Sequence, residues 1–98
     1  MQELITKVEQ WFIDRNLHTF DGTGQLVKLQ EEVEELKDAY EKNDREEMID
    51  AVGDITVVLI GFCMQTGLDF EECLASAYEE IKDRKGKVVD GVFVKEAD

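Results

Sequence analysis

The residues best able to do chemistry in this chain are acidic and fall into two groups. The first group fills four of five consecutive positions with glutamate: Glu31, Glu32, Glu34 and Glu35. The second group, Asp50 and Asp54, directly precedes the longest apolar run of the chain. Glutamates three or four positions apart on one helix repel each other, which costs roughly 0.2–0.5 kcal/mol per pair. A divalent cation is the simplest group that would offset this repulsion.

The helical positions of these acids predict a shared carboxylate site. On a helix, Glu32 and Glu35 lie at the border of the apolar face, whereas Glu31 points more outward. Asp50 and Asp54 share a face because they are four residues apart. Docking two such helices side by side would bring four or five carboxylates together, and hard oxygen ligands select Mg²⁺, Mn²⁺ or Ca²⁺. Since Mg²⁺ usually takes only one or two protein carboxylates, this cluster suggests more than one ion and a phosphorylated ligand.

Two simpler interpretations remain open on spacing alone. The glutamates could form a solvated acidic face on an acidic protein. Asp54 stands at the start of a strongly apolar segment, where a charge is normally paired or metal-bound. It could also form a salt bridge with a lysine.

Length and composition predict one small domain over residues 1–98. The chain has 98 residues, 43% of them apolar, and a formal net charge of −13. This charge argues against binding to nucleic acid or to an anionic membrane surface. The apolar run 55–64 is well short of the ~20 residues that a membrane-spanning helix needs.

Two further features favour a cytoplasmic protein. The N-terminus has early acids and no apolar stretch typical of a secretory signal. Cys63 and Cys73 lack the spacing and the companion ligands of a zinc or redox motif. We therefore expect reduced, buried thiols, as in cytosolic proteins.

The hydrophobic periodicity predicts an all-α fold of four helices in a bundle, followed by a short β-hairpin. The helices are expected at about 3–15, 25–41, 45–66 and 70–85, and no proline interrupts them. The second helix carries an apolar stripe with alternating spacing of three and four, at Leu26, Leu29, Val33, Leu36 and Tyr40. The third helix is apolar on nearly all sides after Asp54, which predicts that it is the central one. Two short apolar segments around Asp90-Gly91 predict the hairpin at about 88–94.

Capping signals mark the helix ends. Asp44 with Glu47, and Asp69 with Glu72, have the spacing of a capping box and predict two helix starts. Gly67 lies where the third helix must stop, because glycine readily adopts the left-handed conformation of a C-cap.

The acidic motifs resemble those of the MazG-like all-α nucleoside triphosphate pyrophosphohydrolases, in particular their small single-domain phage and bacterial members. The resemblance is strongest in KLQEEVEEL at 28–36 and in DAVGDI at 50–55, and it extends over most of the chain. In that family, an ExxE motif on one helix and an ExxD motif on the next hold Mg²⁺ ions. The resemblance implies that Glu32, Glu35 and Asp54 are metal ligands here.

The chain departs from the family motif at one metal-ligand position. The glutamate of ExxD falls on Ala51, and the neighbouring Asp50 is expected to replace it as a metal ligand. Loss of this glutamate could instead weaken the site or change its occupancy. Glu31 is a further candidate for an extra metal ligand, and either Glu31 or Glu32 could be the catalytic group that orients the attacking water.

The phosphate-binding residues are predicted from the one basic cluster of the chain. Larger family members carry basic residues at two late positions of the fourth helix, which hold Glu80 and Arg84 here. We expect Lys82 and Arg84 to contact phosphate, although cations near a helix C-terminus also stabilise the helix dipole by ~0.3–1 kcal/mol. Lys28, one turn before Glu32, would either neutralise the acids or reach the substrate.

The resemblance implies Mg²⁺-dependent hydrolysis of a nucleoside triphosphate (NTP or dNTP) to the monophosphate and pyrophosphate, with Mn²⁺ as a possible substitute. It also implies a homodimer or a homotetramer built as a dimer of dimers. Two alternatives remain: a relative that binds nucleotide or metal without hydrolysis, and an acidic helical-bundle interaction module.

Overall fold

The computed structural model describes residues 1–96, and these form an all-α fold with a C-terminal hairpin, as predicted. The α-helices are α1 (Gln2–Asp14), α2 (Thr23–Glu41), α3 (Arg45–Thr66) and α4 (Phe70–Ile81). The antiparallel strands are β1 (Gly86–Val89) and β2 (Val92–Lys95). A short 3-10 helix, Leu17–Thr19, lies in the connection between α1 and α2, which the sequence predicted as a loop.

The predicted caps are confirmed. Asp44 Oδ1 accepts the backbone N–H of Glu47 at 3.2 Å at the start of α3. Asp69 Oδ2 accepts the backbone N–H of Glu72 at 3.0 Å at the start of α4. Gly67 ends α3 with φ 75°, a conformation that a residue with a Cβ adopts only under strain.

The third helix is the centre of the molecule, as its apolar character predicts. It packs against α1, α2 and the 3-10 helix, and it contributes five of the buried residues: Ala51, Val58, Ile60, Gly61 and Cys63. From α1, Ile5 and Phe12 are buried against this core. The Phe12 ring lies so close to Gly61 that a Cβ at that position would overlap it. Glycine at position 61 therefore sets how closely α1 approaches α3.

The face of α2 that packs against α3 is not the predicted apolar stripe but a neighbouring one. Positions 25, 29, 32, 36 and 39 are buried or half-buried, again with alternating spacing of four and three. Leu26, Val33 and Tyr40 of the predicted stripe are instead 49%, 48% and 74% exposed. The prediction that these three residues form the bundle seam is therefore wrong. The inner face carries Leu29, Leu36 and Ala39 beside Gln25 and Glu32, whereas the fully apolar outer stripe does not pack within the chain.

The fourth helix is shorter and the hairpin longer than predicted. The helix ends at Ile81, not near residue 85, because the backbone N–H of Arg84 bonds to the Ile81 carbonyl at 3.0 Å and closes a turn. The strands extend from Gly86 paired with Lys95 to Val89 paired with Val92. Asp90 and Gly91 connect them with φ 51° and 80°, the two positive angles of the predicted type I′ turn.

The environment of the cysteines is only partly as predicted. Both thiols are free, and Cys63 is buried, but Cys73 is exposed on α4. Its exposure follows from the limited contact of α4 with the rest of the chain. Within residues 1–96, none of the helices combines the length and the apolar character required to cross a bilayer.

Candidate metal centre

Three carboxylates meet where α2 packs against α3. Glu32 and Glu35 are three residues apart on α2, which places them on neighbouring turns of the same side. Asp54 comes from α3, the helix with the most extensive contact to α2. One carboxylate oxygen from each of the three lies within 4.8 Å of the others. The structure thus brings together three of the four predicted metal ligands.

Glu32 is the most constrained member of the cluster, because it is buried. The residue is 3% exposed, and no other polar or charged residue among 1–96 is buried to this degree. Its Oε1 accepts a hydrogen bond from Lys28 Nζ at 3.1 Å. With the carboxyls of the cluster ionised, no donor reaches Oε2, which is also buried. A buried polar atom without a partner costs about 1–3 kcal/mol, and more when it is charged.

The pKa of the Glu35 carboxyl is raised above its ordinary value of 4.5. The main causes are a hydrogen bond shared with the Glu32 carboxyl and the negative charge of Glu32, followed by a smaller effect of desolvation. Lys28 acts in the opposite direction, and Asp54 adds a further small increase. The cluster therefore attracts positive charge, either as a proton or as a cation.

Lys28 neutralises part of this acidity. Its ammonium lies 3.1 Å from Glu32 and 3.9 Å from Glu31, and the hydrogen bond and charge of Glu32 raise the pKa of the lysine. A single ammonium cannot balance three carboxylates. The remaining negative charge, the all-oxygen donor set and the unpaired Oε2 of Glu32 fit a hard divalent cation such as Mg²⁺ or Mn²⁺.

The other predicted members of the site lie outside the three-carboxylate cluster. Glu31 has a side chain that is 60% exposed. Asp50 is exposed on α3 and is not part of the cluster, so its role as the replacement ligand stays a prediction. Ala51, in the position of the missing glutamate, is 3% exposed and packs in the interior. A metal bound here would have one carboxylate fewer than the full motif offers.

The predicted phosphate-binding residues lie beyond the end of α4. Lys82 follows the last helical residue and forms an ion pair with Glu79 at 2.7 Å. Arg84 lies in the connection to β1. Among residues 1–96, no Cα of α4 lies within 8 Å of a Cα of α2. The helices of one chain therefore do not bring the end of α4 next to the glutamates of α2.

Sequence reasoning missed a depression of about 330 Å³ at the N-terminal end of α2. Its lining residues are Leu17, Phe20, Asp21, Gly24, Gln25 and Gln65. Gln65 donates from Nε2 to the Leu17 carbonyl at 2.9 Å, while its buried Oε1 has no hydrogen-bond partner. One feature of the sequence could have indicated this depression. Gln25 precedes Glu32 by seven residues, so it lies on the same face of the helix, about 10 Å away along the axis.

Fold and site together define a helical protein with a cluster of three carboxylates between two adjacent helices. Residues 1–84 match the phosphoribosyl-ATP pyrophosphohydrolase family, and the chain belongs to this family. The predicted resemblance to the MazG-like all-α pyrophosphohydrolases, the wider group that includes it, is thereby confirmed. The match ends just before the hairpin.

One relative comes from Haemophilus phage HP1 (strain HP1c1) and carries the name "Uncharacterized 18.2 kDa protein in rep-hol intergenic region". It is 39% identical over 71 residues, which cover 70% of this chain and 43% of the relative. The chain thus spans less than half of that relative's length. No solved structure matched the chain.

Proposed function

We propose that this protein hydrolyses nucleotide 5′-triphosphates between the α and β phosphates, in a reaction that depends on Mg²⁺ or Mn²⁺ and releases pyrophosphate. The observation that carries the proposal is the buried Glu32 carboxylate, whose Oε2 has no donor and which clusters with Glu35 and Asp54. Membership of a pyrophosphohydrolase family supports the same chemistry. A cation at this place would bind the buried Oε2 of Glu32, whereas a solvated acidic face has no such buried, unpaired oxygen.

The residues of the chain have distinct roles in this proposal. Glu32, Glu35 and Asp54 hold the cation, which when bound withdraws charge from phosphate oxygens and makes water a better nucleophile. Lys28 keeps the buried Glu32 carboxylate in place through its 3.1 Å hydrogen bond. Glu31 or Glu32 orients the attacking water and accepts its proton.

Lys82 and Arg84 remain the proposed contacts of the outgoing pyrophosphate, although the helices of one chain do not place them next to the α2 glutamates. Their positive charges offset the negative charge that develops on the phosphate oxygens as the bond breaks. An arginine can also donate hydrogen bonds to two of these oxygens at once. Arg84 is the better candidate, since Lys82 already pairs with Glu79.

The depression around Phe20 and Gln65 is a candidate binding site for the base of the nucleotide. Phe20 is 61% exposed and offers a stacking surface, while the free Oε1 of Gln65 offers a hydrogen-bond acceptor. We expect Gln65→Ala to change the preference between bases by roughly tenfold, the order expected when one buried hydrogen bond is lost. Relative kcat/KM values for purine and pyrimidine triphosphates measure this change. The rate of hydrolysis of inorganic triphosphate, which has no base, should be unchanged.

Three substrate classes fit the same bond cleavage: phosphoribosyl-ATP, NTPs and dNTPs. The family name favours phosphoribosyl-ATP, and the wider MazG-like resemblance favours NTPs or dNTPs. Pyrophosphate release should therefore be measured for a panel containing all three classes, with Mg²⁺, with Mn²⁺ and with a chelator. We expect release from at least one class in the presence of either metal and none with the chelator.

Matched variants separate this proposal from its alternatives. Asp54→Asn should abolish pyrophosphate release, whereas Glu34→Gln, an exposed neighbour on α2, should keep it. A binder without hydrolysis would gain thermal stability from metal and nucleotide without releasing pyrophosphate. An acidic interaction module would show neither effect, and equal activity of Asp54→Asn and wild type would overturn the assignment.

A further inference from the structure

The two cysteines of the chain lie on either side of the short connection between α3 and α4. Cys63 precedes the C-cap of α3, Gly67, by one helical turn, and Cys73 follows the N-cap of α4, Asp69, by one helical turn. One turn of helix advances only about 5.4 Å along the axis. Both cysteines are therefore close to the point where the two helices meet.

Backbone hydrogen bonds attach both cysteines to neighbouring residues of this connection. The Cys63 carbonyl accepts the backbone N–H of Leu68 at 2.8 Å, and the backbone N–H of Cys73 donates to the Asp69 carbonyl at 3.0 Å. Leu68 and Asp69 are adjacent in the chain, so their Cα atoms are about 3.8 Å apart. The turn between the helices thus brings the two cysteines near each other although nine residues separate them.

The two thiol groups affect each other directly. Both are free. Burial is the main cause that raises the pKa of Cys63 to about 11, and the charge of the Cys73 thiolate and a hydrogen bond with it add to the rise. Because a hydrogen bond forms only between groups in contact, the Cys73 thiol lies beside the Cys63 thiol.

The pair combines a buried thiol with an exposed one. Cys63 is 7% exposed, whereas Cys73 is exposed in the first part of α4. A reagent in solvent reaches Cys73 first, and Cys63 can then react with the modified Cys73 sulfur. One exposed thiol with a second thiol next to it is the arrangement of an attacking and a resolving cysteine.

The helix that carries Cys73 has little other attachment to the molecule. Among the helices of residues 1–96, α3 is the only one with Cα atoms within 8 Å of α4, and every residue of α4 after Phe70 is exposed. A segment with so few buried contacts opens at a low free energy. A covalent bond from Cys73 to the buried end of α3 would restrict this opening.

We propose that Cys63 and Cys73 form a reversible intramolecular disulfide by exchange with a low-molecular-weight disulfide, and that this bond holds α4 against α3. The thiols stay reduced in a reducing compartment and pair when the small disulfide accumulates. The carboxylate cluster takes no part in this chemistry, so the inference does not depend on the proposed function.

The exchange has two steps. The Cys73 thiolate attacks one sulfur of the small disulfide, whose S–S bond breaks and releases one small thiolate. Cys63 then loses its proton and attacks the Cys73 sulfur, so that the protein disulfide forms and the second small thiolate leaves. In total the two protein thiols lose two electrons and two protons, and the small disulfide gains them as two small thiols.

A redox titration of the full chain tests the bond. The reduced protein is equilibrated under argon with increasing ratios of oxidised to reduced glutathione, quenched in acid and analysed by intact mass and by peptide mapping without reductant. We expect a single chain that has lost two hydrogens and carries the link between residues 63 and 73. Its effective thiol concentration should exceed that of the same chain in guanidinium by roughly tenfold or more, since a short flexible loop gives only millimolar values.

Three results of the titration would overturn the proposal. They are glutathione on Cys73 as the main product, disulfides that join two chains, and equal effective concentrations in the native and the denatured protein. Two variants test the order of the steps. Cys63→Ala should accumulate glutathione on Cys73, whereas Cys73→Ala should stay unmodified over the same time. Equally fast modification of the two variants would contradict the assignment of Cys73 as the attacking thiol.

Hydrogen exchange followed by mass spectrometry tests the effect on α4. Peptides from residues 70–81 should exchange several-fold more slowly in the oxidised than in the reduced wild type, while peptides from α1 should exchange equally in both. Cys73→Ala, treated with the same glutathione buffers, should show no change in α4. Equal exchange of α4 in oxidised and reduced wild type would refute the claim that the bond holds this helix.

Discussion

A buried carboxylate in the position of Glu32 destabilises the folded state unless a hydrogen-bond donor or a cation binds it. The side chain is 3% exposed, and Lys28 satisfies only one of its two oxygens. Glu35 lies beside it, and the hydrogen bond and the negative charge of Glu32 raise the pKa of Glu35. We infer that the metal-free protein is destabilised at this site and that cation binding relieves the repulsion.

The raised pKa of Glu35 predicts how the metal-free protein responds to pH. The unfolded chain ionises near the ordinary value of 4.5, whereas the native state holds its proton to higher pH. Native stability therefore falls as pH rises through the interval above 4.5, since the native state binds more protons there. We expect Glu35→Gln to raise the melting temperature in chelator at pH 7.5 and to weaken the response to Mg²⁺.

The control for this prediction is Glu34→Gln, an exposed change next to the site. It removes the same charge from α2 but should leave the Mg²⁺ response intact. If both variants gain the same stability without metal, the effect is general charge relief on an acidic protein, and the special position of Glu35 is refuted.

The two thiols should differ strongly in reactivity. Burial, with a smaller effect from the neighbouring Cys73 thiol, raises the pKa of Cys63 to about 11, while Cys73 itself is exposed. Because the thiolate is the reactive form, we expect native Cys63 to react with iodoacetamide roughly 100-fold more slowly than Cys73 at pH 8. Peptide mass spectrometry of a time course measures both rates. Equal rates in the native protein, as expected in denaturant, would contradict the placement of Cys63.

Among the helices and strands, the sequence predicted the helix caps, but it did not predict which face of α2 packs against α3. The caps at Asp44, Gly67 and Asp69 are set by residues within one turn, so the sequence alone was sufficient. The motif spacing likewise placed Glu32, Glu35 and Asp54 together. The inner face of α2 was missed because its outer stripe is equally apolar, and periodicity does not say which stripe packs within the chain. The early end of α4 was missed because residues 70–85 contain neither proline nor glycine, so no residue before Gly86 signals a helix end.

Two glycines of α3 predict opposite effects of the same change. Gly61→Ala would force a methyl group into the Phe12 ring and should destabilise the protein by roughly 1–3 kcal/mol. Gly53→Ala meets no atom within 4 Å and should stabilise the helix by roughly 0.5–1 kcal/mol. Urea denaturation of both variants measures the difference. Similar stability of the two would show that α1 does not approach α3 as closely as described.

At the scale of the whole molecule, the chain leaves a large surface exposed, including all of α4 after Phe70. The predicted dimer or tetramer stays a prediction. Sequence reasoning expected a dimer or tetramer from family resemblance, but it could not locate the contact. That location depends on which surfaces the folded chain leaves uncovered.

The apolar face of α4 predicts how assembly can be broken. Tyr78→Asp places a charge on the uncovered face and should shift the protein to a monomer in light scattering coupled to size-exclusion chromatography. Because Tyr78 is 59% exposed within the chain, the helical signal of α1 to α3 should be retained. Ser76→Asp lies on the opposite face of the same helix and should leave the assembly intact. Identical behaviour of the two variants would exclude this face as the interface.

We propose that Glu32, Glu35 and Asp54 form a site for a divalent cation. Mn²⁺ binding to the protein without nucleotide tests this site, measured as the loss of the free Mn²⁺ signal in electron paramagnetic resonance. We predict saturable binding to wild type and to Glu34→Gln, and a loss of affinity of roughly 10-fold or more for Glu35→Gln and Asp54→Asn. Equal affinity in all four proteins, or no saturable binding to wild type, would contradict it.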